Sequence, residues 1–124
     1  MKTKAEKASV AAFLKTVDAE RRDDCEAIVA MMTRATGAKP VMYGKAIIGF
    51  GKRTLVYPNG RELDWFQLGF SPRKADLTLY GLDLQPAALK KLGKHTRGKG
   101  CLYVKRLADV DVSVLKTMLE RAAR

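Results

Sequence analysis

The chain has 124 residues, 47% of them apolar, and carries 24 Lys and Arg against 13 Asp and Glu, a formal charge of +11 with a pI near 9.9. That length sets an expectation of one domain, residues 1–124, around a single ordinary core, and the charge favours anionic partners. The apolar run near the N-terminus, Val10 to Leu14, is too short for a signal-peptide core or a membrane span, so a cytoplasmic protein without a membrane partner is expected.

The spacing predicts a short first helix over Ala5 to Thr16, with Val10, Phe13, Leu14 and Val17 on one stripe. A longer helix follows over Asp18 to Thr36, where Cys25, Ile28, Val29, Met32 and Thr36 recur at the three-four interval; Asp18 stands at its start and Gly37 at its end. After Pro40 the character changes to β-branched and aromatic runs broken by glycine. "KAIIGFG", "RTLVYP", "LDWFQLGF" and "ADLTLYG" read as four strands, with Asn59-Gly60 turning between the second and third. A strict two-residue turn would pair Leu55 with Asp64; a wider loop reaching to Asp64 suits the alternation of Phe66, Leu68 and Phe70 better.

Pro86 suits a first helical position, with Leu89 and Leu92 inward and Gly93 as the stop. "GCLYVKR" reads as a fifth strand, and a final helix begins at Asp111 and runs to Ala122 with Leu115, Met118, Leu119 and Ala122 as its buried stripe. This order gives an α+β fold, a two-layer sandwich with helices on one face of a mostly antiparallel sheet.

Gly93-x-x-x-x-Gly98-Lys99 has the spacing of a phosphate-binding loop, but Gly100 stands where a hydroxyl should hold Mg²⁺. Such a loop follows a strand and opens a helix; here a helix leads in and a strand leads out. The same stretch has two other readings. Lys90, Lys91 and Lys94 suit a helix end, with Gly93, Gly98 and Gly100 as turns. Alternatively, Lys94, His95, Arg97 and Lys99 form an anion cradle with Arg73 and Lys74 of "SPRKA", walled by Trp65 or Tyr103.

His95 is the single histidine, which excludes a multi-histidine metal site, and neither Cys25 nor Cys101 has metal or redox spacing. Both are expected as free thiols, packed as small core residues. Glu20, Asp23, Asp24 and Glu26 share an acidic stretch of the long helix, which either complements its dipole or offers a loose oxygen site for a cation. Tyr43, Tyr57, Trp65, Tyr80 and Tyr103 exceed what a small core needs, and Trp65 with Gln67 is expected to line the side without helices.

"VMYGKAIIGFG", "DWFQLGFSPRKADLTLY" and "LGKHTRGKGCLYVKRLADVDVSVLKTML" together resemble the YdhG-like domain family, catalogued as domain of unknown function 1801, over about Ala11 to Leu119. The "GFSPRK", "LGKH" and "GKGCLY" segments in that order carry the resemblance. It implies a frataxin-like sandwich and brings no catalytic residue set. One branch of the family is linked to intracellular iron delivery, which implies a metal chaperone using the four acids as the alternative.

The residues therefore point to a non-enzymatic binding protein without a cofactor, taking a small anionic or planar ligand at Trp65, Arg73, Lys74, Lys94, His95, Arg97, Lys99 and Tyr103. Nucleic-acid binding ranks behind both.

Overall fold

A computed structural model of the chain describes residues 5–6, 10–44, 46–74, 76–82, 84–98 and 101–123. Lys99, one of the expected site residues, lies outside them. The first elements are β1 (Ala5–Glu6), α1 (Val10–Leu14) and α2 (Ala19–Thr36). The helix expected from Ala5 is thus shorter, because Ala5 and Glu6 pair instead with Tyr43 and Met42. α1 ends where Thr16 and Val17 bond back three residues, and Arg22 of α2 donates to the carbonyls of Leu14, Lys15 and Val17 at 2.9–3.2 Å. One guanidinium therefore satisfies carbonyls that a short helix leaves open. α2 begins after Asp18 and stops at Gly37, whose φ of 70° suits glycine and whose N–H reaches Thr33 O.

The strands are β2 (Val41–Tyr43), β3 (Ile47–Phe50), β4 (Arg53–Val56), β5 (Glu62–Trp65), β6 (Leu68–Pro72) and β7 (Leu77–Tyr80). Then come α3 (Pro86–Leu92), β8 (Thr96–Gly98), β9 (Cys101–Val104), a 3₁₀ turn at Leu107–Asp109 and α4 (Val112–Ala122). "LDWFQLGF" is two strands. The chain leaves the β4–β5 ribbon at Phe66, and Gln67 N–H donates to Phe50 O at 2.9 Å to enter the main sheet. In the ribbon Leu55 faces Leu63 and Thr54 faces Asp64, so the turn spans Tyr57 to Arg61; the register is shifted by one residue from the one the strict two-residue turn would give, and the wider loop to Asp64 does not form. Tyr57 N–H to Arg61 O closes it at 2.9 Å, with Asn59 Oδ1 accepting from Arg61 N–H.

The main sheet has the order β1-β2-β3-β6-β7-β9-β8, antiparallel throughout. Alternate residues point to opposite faces. Ile48, Phe50, Leu68, Phe70, Leu77, Leu79, Leu102 and Val104 are buried on one face, in one core with Cys25, Ile28 and Met32 of α2, Leu89 and Leu92 of α3, and Leu115, Met118 and Leu119 of α4. Each such side chain contributes about 1.5–3 kcal/mol on leaving water. The result is the expected α+β sandwich, with the helical layer against one face and Asp24 Oδ2 accepting from Leu107 N–H to tie α2 to the 3₁₀ turn.

Candidate functional site

The sheet face away from the helices is built from small residues and aromatic rings. Residues directly opposed in an antiparallel pair share a face, so the pairs Gly49–Gly69, Gly69–Tyr80, Tyr80–Cys101 and Cys101–Gly98 run as one row across β3, β6, β7, β9 and β8. Beside it lie Ser71–Thr78, Thr78–Tyr103 and Tyr103–Thr96. The glycines leave room for rings. A Cβ on Gly69 would stand 2.7 Å from Phe66 Cε1, and one on Gly98 2.6 Å from Tyr103 Oη.

Phe66 is 2% exposed and fills the trough over Gly49 and Gly69. Around it stand Trp65, with ring centres 4.6 Å apart, Tyr43 at 5.1 Å and Tyr80 at 6.0 Å; Tyr43 also meets Trp65 edge-on at 5.8 Å. Offset and edge contacts of this kind lock the rings. Burial, then the nearby Asp64 carboxylate, pushes the Tyr43 phenol above its ordinary pKa. Trp65, Tyr80 and Tyr103 remain half-buried, offering ring surface to a partner.

Arg73, just after β6, is exposed, and its Nη2 donates to Tyr80 Oη at 3.3 Å. That bond is the main reason its guanidinium is held even more firmly charged than usual, with Tyr103 and Asp76 also close enough to contribute. The Cys101 thiol beside Tyr103 pushes that phenol up. Beneath them the hydroxyls of Ser71 and Thr78, each 2% exposed, are spent inward on Ala46 O at 2.7 Å and Asp76 Oδ1 at 3.0 Å. A ligand on this face therefore meets the Arg73 guanidinium and π surfaces, not the floor hydroxyls.

The structure brings Arg73 and Tyr103 together and separates the other expected site residues. Trp65 lies across Phe66 and Tyr80 from Arg73. Arg97 opposes Leu102, a core residue, and so projects on the helix side of β8, opposite to Tyr103. Lys94 is exposed at the end of α3, its backbone N–H bonded to Asp109 O. His95 Nδ1 lies 2.7 Å from Gly93 O, an oxygen that only accepts, so the ring proton sits on that nitrogen. Lys74 is exposed beside Arg73. The stretch read as a loop is the edge strand β8; a strand hairpin follows α3 and no helix opens there, unlike a phosphate-binding loop.

Of the four acids, Glu20, Asp23 and Glu26 are exposed and Asp24 is engaged by Leu107 N–H. Among the described residues no three His, Cys, Asp or Glu side chains gather as a metal site. Both cysteines are free. Cys25 is buried in the core as expected, whereas Cys101 lies half-exposed on the open sheet face, outside the core. Burial pushes the Cys25 thiol up to about 11, with Arg21 opposing.

Sequence reasoning counted Tyr43 and Tyr80 among the surplus aromatics but did not assign them to the site, and it placed Phe66 with Leu68. The signal that could have found them is Gly49 and Gly69 in strands whose alternate positions are large and apolar, since glycine inside a strand marks a close approach. A concavity of about 630 Å³ lies against the β4–β5 ribbon, lined by Tyr57, Pro58, Arg61, Leu63 and Trp65.

Fold and face together define a two-layer α+β domain with an aromatic, cation-edged open sheet. No family model, curated protein or solved structure matches the chain. No helix among the described residues is long and apolar enough to cross a membrane.

Proposed function

We propose that this chain is a YdhG-like, cytoplasmic, non-enzymatic binding protein that takes a small planar anion on the open sheet face. The Arg73–Tyr80 contact at 3.3 Å carries the reading, because it fixes a guanidinium at the edge of ring surfaces. A planar carboxylate or phosphorylated heterocycle would stack on Tyr80 or Tyr103 and place its charge against Arg73. The net charge of +11 raises the local concentration of any such anion.

A thermal-shift screen of aromatic carboxylates and nucleoside monophosphates at fixed salt tests this, followed by calorimetry on the best ligand. Stabilisation that Arg73→Ala abolishes is the expected result. No stabilisation by any planar anion, or stabilisation indifferent to Arg73, removes the proposal.

A further inference from the structure

We infer that the open sheet face binds single-stranded nucleic acid, with bases stacked along its aromatic row; this rests on the reading of that face as a site for planar anions and names their class. The row is longer than one ring needs. Phe66 sits over Gly49 of β3 and Gly69 of β6, Tyr80 is on β7 opposite Gly69, and Tyr103 is on β9, diagonal to Tyr80, with strands about 4.8 Å apart. Trp65 extends the row beyond Phe66. Phe66 itself is 2% exposed and acts as the wedge that orients its neighbours, leaving Trp65, Tyr80 and Tyr103 as the accessible rings.

Charge runs alongside. Arg53 is paired across the ribbon with Trp65, Arg73 donates to Tyr80 Oη, and Lys74 follows Arg73 in the chain, all three exposed. The strand that supplies Tyr103 runs into the exposed Lys105 and Arg106, while five of the chain's acids lie in residues 18–26, in and just before the helix on the other layer. Positive groups beside a line of ring faces match a polymer that alternates phosphates with flat bases. A duplex hides its base faces and gains nothing from such a row. A second copy of this chain would bring another strongly positive surface against it.

The test is fluorescence anisotropy with a labelled oligothymidylate of about 12 nucleotides, a length within the range one such surface covers, and the corresponding duplex. Emission of Trp65, the one tryptophan, is followed in the unsubstituted protein, so that one readout needs no variant. Expected are tighter binding of the single strand than the duplex, quenching of Trp65, and affinity falling with salt by about 0.7 log units per log unit for each phosphate neutralised. Tyr103→Ala should weaken binding about five- to a hundredfold.

Equal affinity for the duplex, unchanged Trp65 emission, or a Tyr103→Ala protein that is folded and binds as well as wild type each overturns the inference. If Tyr103→Ala does not fold, Tyr103→Leu takes its place. An oligonucleotide that fails to bind while adenosine monophosphate binds through Arg73 overturns the inference and leaves the planar-anion site standing. Failure of both removes both.

Discussion

Phe66 lies so close against Gly69 that a Cβ at that position would stand 2.7 Å from its Cε1 and 3.1 Å from Ile48 O. Gly49, the cross-strand partner of Gly69, is equally tight, with Tyr43 Cδ1 at 2.6 Å and Phe66 Cβ at 2.8 Å from an added Cβ. The neighbours here are packed rings and backbone, with little room to give. Gly49→Ala and Gly69→Ala are therefore expected to destabilise the fold by about 1–3 kcal/mol in urea unfolding, and to shift Trp65 emission in the native state. Wild-type stability with an unshifted Trp65 would show that the rings do not rest on the glycines.

Arg73 and Arg97 give a paired comparison. One reaches the aromatic face and the other projects on the helix side of the edge strand. Replacing Arg73 with Ala should weaken a planar anion about ten- to a hundredfold, the range of a charge-assisted hydrogen bond, whereas Arg97→Ala should cost less than about threefold through long-range charge alone. Calorimetry at one ionic strength separates them, and equal losses would place the ligand elsewhere.

The two thiols should differ. Cys101 is half-exposed on the open face, while Cys25 is buried with its thiol pushed up to about 11. At pH 8 a thiol reagent is expected to label one cysteine readily, identified as Cys101 by peptide mapping, and the second only in denaturant. Rapid modification of both in the folded protein would contradict the burial of Cys25.

Asp111 predicts a pH dependence. Its carboxylate accepts from Ser113 Oγ at 2.7 Å and from the N–H groups of Ser113 and Val114 at 3.0 and 3.3 Å, capping α4. The Ser113 hydroxyl is the first cause of a pKa below the usual 3.8. A lowered folded value means the stabilisation is complete above the unfolded pKa and fades as the pH falls through the folded one. Asp111→Ala should thus lower the melting temperature at pH 7 and lose that difference in strong acid. A gap that persists after full protonation would mean the cap does not act through its charge.

The sequence by itself determined the secondary elements whose signals are local. The three-four spacing of Cys25, Ile28 and Met32, the Pro86 start and Gly93 stop of α3, and Asp111 at the head of α4 each depend on neighbours within one turn, and the structure places those helices there. The α+β class followed from their order.

Tertiary structure decided the rest, because it depends on partners far along the chain. Ala5 and Glu6 became a strand only through β2, and Phe66 left its strand because Gln67 bonds to Phe50 O and Ala123 O. The site divided for the same reason. Arg73, Arg97 and Tyr103 read as one cluster in the sequence, but the register of β8 against β9 sends Arg97 to the helix side while the β6–β7–β9 pairings keep Arg73 with Tyr80 and Tyr103. A single-residue step in register inverts the face of every side chain in a strand, and no local feature of "GKHTRGKG" specifies which face is which.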